Sequence, residues 1–298
     1  MMQSRAVVRL LPDERRLHLQ DGPIDLIVEA NGKPEALHAA YKAATHRFTT
    51  ILDELCTELP LLRTAVSAGS AKPSGAVARK MFEAVFPYAP NNFITPMAAV
   101  AGAVAEAVLE AMASAAKLQR AYVNNGGDIA LHLTGGESFR IGMVDRPDRP
   151  SLFGTTEIST GDPIRGVATS GWRGRSFSLG IADAVTVLAD TAATADAAAT
   201  IIANAIDLSG HPSIVRIRAC DISPDSDLGE RLVTRGVGEL TAQEIARALD
   251  AGAAVGEELL QRGLIRAAAL SLCNARRVVS PSIDSDRFIE PLRNAQHA

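Results

Sequence analysis

The chain has 298 residues, 47% hydrophobic and 21% charged, an ordinary globular composition with enough apolar material for a sizeable core. A net charge of -4, a sequence pI near 5.9 and the lack of any basic run interleaved with aromatics argue against nucleic acid as a partner. Cys56, Cys220 and Cys273 lie far apart without CxxC spacing, which points away from a disulfide framework or a zinc site and fits reduced thiols in a cytoplasm.

The opening MMQSRAVVRLLPDERR places charge where a signal peptide needs an apolar segment, so no signal peptide is expected. Strand-like runs at residues 6–11, 16–19 and 24–29, separated by Pro12-Asp13 and Asp21-Gly22-Pro23, predict an antiparallel meander. Residues 35–55 predict a helix with Leu37, Tyr41, Thr45, Phe48 and Leu52 at three- and four-residue intervals. His38 and His46 on that helix lack an acidic partner at metal-ligand spacing and are expected as surface or packing residues.

Residues 67–75, SAGSAKPSG, predict a flexible loop. The P-loop order of Gly and Lys is absent, so Lys72 has no claim on a phosphate. A helix over residues 76–86 follows. The apolar stretch over residues 93–105 is then interrupted by Glu106 and Glu110, too soon for a membrane span. Pro96 suits the first turn of a helix, and Ala98, Ala99, Ala101, Gly102 and Ala105 leave room for a neighbouring backbone or a ligand. Close helix packing explains the same composition.

At YVNNGGDIALHL, residues 122–133, an Ala-rich segment ends, the backbone turns through Asn-Gly-Gly, and a strand begins. Gly126 and Gly127 can take positive φ and admit a close ligand, while Asn125-Gly126 is also a hairpin signal. A plain tight turn and a binding loop both fit. Residues 138–143 continue the sheet, 144–163 predict a long loop, and 166–170 and 184–188 predict short strands.

TAATADAAATIIANAI predicts a helix capped by Thr191 or Thr194, with Asp196 and Thr200 one turn apart. Two such oxygens can face one hard cation such as Mg²⁺. Equally, Asp196 can complement the helix dipole and Thr200 can bond back to its own helix. Beyond it, residues 213–220 predict a strand, Asp221, Asp225 and Asp227 are turn formers, and residues 241–262 predict a helix with Thr241 and Glu244 at capping-box spacing. Residues 264–272 predict a strand or buried segment, and the polar tail from residue 281 is expected to be peripheral. GxGxxG is absent, so a Rossmann fold is not expected.

Four pieces occur in an order that resembles the ApbE superfamily of flavin transferases, which move FMN from FAD onto a protein threonine. They are AAVAGAVAEAVLEA from Ala98, YVNNGGDI, ATSGWRGRSF from Ala168 and AVTVLADTAATADAAAT from Ala184. GPIDLIVEA, FITPMAAVAGAVAE and SDLGERLVT are further similar to the uncharacterised UPF0280 branch of that superfamily. The resemblance implies Mg²⁺ ligands at Asp196 and Thr200. It implies a flavin-nucleotide site, for FAD or FMN, at Asn124, Asn125, Gly126, Gly127, Asp128, Thr169, Ser170, Gly171, Ala101 and Gly102.

Two departures stand beside it. SLGIAD replaces the His-x-x-Asp-Pro-x-Thr-Gly element of the transferases, and Ala101-Gly102 replaces their Lys-Gly pair. The expectation is therefore an α+β fold: one ApbE-like domain over residues 1–298, of mixed, largely antiparallel strands with packed helices. It carries either an FMN-transferase-like Mg²⁺ site or a non-catalytic site for a ligand or partner protein.

Overall fold

Alternating apolar residues and tight turns build the first sheet from the chain's opening residues. The computed structural model describes residues 5–144, 146, 152–281 and 290–291, and the described chain falls into two units. The first unit comprises Met1–Ser138, Ser159–Ala168 and Ala189–Ala197. Its strands are β1 (Val7–Leu10), β2 (Leu17–Asp21), β3 (Ile24–Asn31), β4 (Arg120–Asn125), β5 (Asp128–Leu133) and β8 (Gly166–Ser170), the last reaching into the second unit from Thr169. They lie side by side in that order, every pair antiparallel. Leu17, Leu19, Ile24, Leu26 and Val28 are buried at alternate positions, as the period of two requires.

Helix α1 (Pro34–Thr57) begins on Pro34, whose fixed φ suits a first turn. Its buried face differs from the expected stripe: Ala40, Ala44, Phe48, Ile51 and Leu55 are buried, and only Phe48 is common to both. The alanines let α1 lie close along α4 (Val100–Ala115), and the larger Leu37, Tyr41 and Leu52 flank that contact half-buried. His38 and His46 are exposed.

A short helix α2 (Leu59–Leu62) and the amphipathic α3 (Ala76–Val85) follow. Glu58 accepts hydrogen bonds from the Ser74 and Gly75 N–H groups at 2.7 and 2.8 Å and so pins the end of the loop over residues 67–75. Pro96–Ala115 runs as one helical stretch, 3-10 at first, and is long and apolar enough to cross a bilayer by length and composition. The sequence suggested an earlier interruption at Glu106, but both glutamates stay helical and pair with Lys80, and half of the stretch is buried inside the protein.

The second unit comprises Phe139–Ile158, Thr169–Leu188 and Ala198–Ala298. Strands β9 (Ala184–Ala189), β12 (Ala267–Leu272) and β13 (Ala275–Val279) pair antiparallel in that order, and α7 (Ala242–Gln261) packs on the last two. β9 and β12 are buried at every position, Thr186 and Ser271 included. The capping box of α7 forms as expected between Thr241 and Glu244. β10 (Ile214–Arg218) and β11 (Leu232–Val237) make a separate two-stranded sheet, with α6 (Ala219–Ile222) between them in sequence.

One expectation is corrected outright. The segment taken as a long loop contains strand β7 (Leu152–Ser159), which lies beside β6 (Ser138–Val144). Its LFGTTEIS mixes Phe, Thr and Ile with Gly, Glu and Ser, a weak strand signal hidden among Pro, Asp and Gly neighbours. Residues 145 and 147–151, and most of the tail from residue 282, lie outside the described residues. β11 and β13 are strands the sequence reading did not anticipate. The fold class is nevertheless α+β with largely antiparallel strands.

Candidate functional site

In the first unit the β4–β5 turn closes on the pair Asn125 and Asp128, leaving Gly126 and Gly127 as a two-residue loop. Their φ values are 68° and 118°, a conformation that glycine adopts without a Cβ penalty. The turn is therefore a hairpin loop, and the residues before it belong to β4 and not to the Ala-rich helix. The Gly127 N–H donates to Asn124 Oδ1 at 2.8 Å, which fixes the turn from within. A Cβ on Gly127 would meet no atom within 4 Å, so its outer side is open. Asn125 is only 6% exposed, and its Nδ2 donates to the Ala101 carbonyl at 3.2 Å. That bond ties the turn to the start of α4.

Gly102 has the opposite environment. A Cβ there would lie 2.3 Å from the Ala192 carbonyl oxygen and 2.7 Å from the Ala193 nitrogen, so α4 touches the backbone of helix α5 (Ala192–Ala205) directly. Gly166, at the start of β8, meets Thr191 in the same way, at 2.1 Å. Small residues in α4 thus serve a backbone-to-backbone approach at Gly102. From that position the Gly102 N–H donates to Asp196 Oδ2 at 3.0 Å.

Burial raises the Asp196 carboxyl well above the usual carboxylate range, and the charge of Asp128 adds to the rise. Hydrogen bonds from the Gly102 and Ala101 backbone act against it. Asn124 to Asp128, Ala101, Gly102 and Asp196 are thereby linked within the first unit. Thr200, one turn after Asp196 along α5, is half-buried and belongs to the second unit. The α5 N-terminus is capped by Thr191, whose Oγ1 accepts from the Thr194 N–H at 3.2 Å, which decides between the two expected caps.

Sequence reasoning missed Glu106. Its Oε1 accepts from the Ala193 N–H at 2.7 Å, its Oε2 faces Lys80 Nζ at 3.4 Å, and its side chain is 12% exposed. The available signal was a lone charge in an apolar run, one helical turn after Gly102.

Thr169, Ser170 and Gly171 belong to the second unit. Thr169 Oγ1 lies 2.9 Å from Thr186 Oγ1, and Gly171 has no room for a Cβ, which would sit 2.6 Å from the Asp183 carbonyl oxygen. The Trp172 N–H donates to the Ala182 carbonyl at 3.0 Å, and the Arg173 guanidinium stacks 4.3 Å over the Trp172 ring. Asp183 is 4% exposed and receives Arg173 Nε at 2.5 Å and the Cys273 N–H at 2.6 Å. It also holds the Cys273 thiol up, after burial itself. Among the described residues, no group of three His, Cys, Asp or Glu side chains is arranged to hold a metal.

The family model described as AbpE bacteria matches residues 8–278. A UPF0280 protein of Methanopyrus kandleri is 34% identical over 203 residues, covering 67% of this chain and 78% of that protein. A UPF0280 protein of Methanocella arvoryzae is 43% identical over 114 residues, 38% of this chain and 45% of that protein. Among solved structures, the flavinyl transferase ApbE of Pseudomonas stutzeri in its apo form aligns at a TM-score of 0.48 and 14% identity, over 97% of this chain and 100% of that one. The match to the family model over nearly the whole chain, together with the Methanopyrus relative, places this protein in the UPF0280 family of the ApbE superfamily.

Proposed function

We propose that a Mg²⁺-dependent site for a flavin nucleotide, FAD or FMN, is built around Asp196. The observation that carries the reading is the buried Asp196 carboxyl, which accepts the Gly102 N–H at 3.0 Å and whose charge is disfavoured first by burial and then by Asp128. A hard cation would relieve that repulsion, and carboxylate, hydroxyl and carbonyl oxygens are the donors Mg²⁺ prefers. Asp196 would hold the metal. The turn from Asn124 to Asp128 would approach the nucleotide, and the open outer side of Gly127 supports this. When bound, the metal supplies charge neutralisation on a pyrophosphate and so favours FMN-transferase-like chemistry.

The resemblance of the glycine turn and the Asp196 helix to flavin-transferase motifs, together with the family model over residues 8–278, supports the flavin assignment. The span of the family model, residues 8–278, supports reading both units as one domain. Three separated thiols support a cytoplasmic setting, and the acidic balance a small-molecule partner over nucleic acid.

The second reading is a UPF0280 member that binds a ligand or protein without turnover. It is favoured by the SLGIAD segment, where Asp183 is locked by Arg173 and the Cys273 backbone and so serves as a structural anchor. Calorimetric titration of FAD with and without Mg²⁺, on the wild type and Asp196→Asn, tests the site. Mg²⁺-linked binding that is lost in the variant supports it, and transfer of FMN to a threonine-containing peptide then separates enzyme from binder. Absence of any FAD or FMN binding in the wild type would remove the proposal.

A further inference from the structure

We infer that Glu106 is the positioning residue for Asp196. The inference rests on the metal-site reading above for its functional meaning, but its geometry is independent of any ligand. Gly102 and Glu106 stand one turn apart on α4, and both grip the first turns of α5. Gly102 abuts the Ala192 and Ala193 backbone and donates its N–H to Asp196 Oδ2 at 3.0 Å. Glu106 reaches the same backbone from the next turn and accepts from the Ala193 N–H at 2.7 Å.

The two contacts constrain different freedoms. The first sets how closely the helices approach. The second fixes α5 along and about its axis, because a carboxylate held on one N–H near a helix start resists sliding and rotation of that turn. Asp196 lies three residues beyond Ala193, so a shift of the first turn carries its carboxylate with it. Glu106 is itself held: Lys80 Nζ lies 3.4 Å from its second oxygen and 2.7 Å from Glu110. A charge so placed also complements the positive end of the helix dipole.

The test compares wild type with Glu106→Gln and Glu106→Ala, and with Glu106→Asp should the alanine variant fail to fold. Gln keeps an acceptor of the same reach, whereas Ala removes it and Asp is one methylene short. Two quantities are read: amide hydrogen exchange at Gly102 without ligand, and the factor by which Mg²⁺ tightens FAD binding. The Ala or Asp variant should exchange Gly102 about tenfold faster and lose most of a coupling factor of roughly tenfold or more, while Gln restores both.

Unchanged Gly102 exchange in the Ala or Asp variant would overturn the inference. So would a loss of thermal stability with the Mg²⁺ coupling intact, since that is the behaviour of a helix cap alone. Should the wild type show no Mg²⁺-linked FAD binding, the functional proposal falls while Gly102 exchange still decides the positioning role.

Discussion

Gly102→Ala separates two effects of opposite sign. In a helix interior alanine is favoured over glycine by about 1 kcal/mol, so propensity alone predicts a more stable protein. The added Cβ, however, would lie 2.3 Å from the Ala192 carbonyl oxygen and 2.5 Å from its carbon, about 1 Å inside ordinary contact. Those atoms are backbone, held in place by the first turn of α5 and by the Glu106 bond, so no rotamer change removes the clash. Overpacking of this kind costs roughly 1–3 kcal/mol, and with a backbone partner the upper end applies. We expect a net loss of about 2 kcal/mol in urea unfolding, with steric cost exceeding propensity. Gly127→Ala is the control. Its Cβ would meet nothing within 4 Å, so its cost of about 1–2 kcal/mol is that of a left-handed backbone alone. The first variant should also weaken the Gly102 to Asp196 bond and reduce Mg²⁺-linked FAD binding. A Gly102→Ala protein at least as stable as wild type would refute the close approach of α4 to α5.

Other perturbations follow from single contacts. Asn125→Ala removes the donor to the Ala101 carbonyl at a site 6% exposed and should destabilise by about 1–2 kcal/mol, measured by chemical denaturation. Asp183→Ala removes a carboxylate partner of Arg173 and the acceptor of the Cys273 N–H, and a loss of about 3 kcal/mol is expected; a loss within experimental error would show that the Trp172-Arg173 segment is held by other contacts. The Glu244 carboxyl is lowered to about 2 by the Thr241 backbone N–H, then the Thr241 hydroxyl, then His211. A depressed acid stabilises above its unfolded value and loses that contribution as pH falls, here from 4.5 through about 2. NMR titration should find that midpoint in the wild type and a return toward the ordinary value in Thr241→Ala.

What the sequence revealed and what it hid divide along the range of the interaction. The meander, the Asn-Gly-Gly hairpin and the α7 capping box are decided by neighbours a few residues apart, and each appears where the local pattern puts it. The inward face of α1 was misread because its deciding partner is α4, far along the chain. Ala40 and Ala44 look like neutral spacers until another helix needs to lie against them. Strand β7 was lost for a related reason, since pairing stabilises it and its own residues signal weakly.

The candidate site shows the same division in sharper form. Asp196 and the glycine turn are visible as an oxygen donor and a flexible loop, yet what joins them runs through α4: Asn125 donates to the Ala101 carbonyl, and Gly102 donates to Asp196 across 94 positions. Gly102 leaves room for a neighbouring backbone or a ligand, and the backbone of α5 takes it. Its neighbour Glu106 was counted only as an interruption of an apolar run. One carboxylate in that run would be costly without partners, and the Ala193 N–H and Lys80 supply them. A charge set inside an otherwise apolar helix is therefore a question about its partner, and at Glu106 the partner is the start of the helix that carries Asp196.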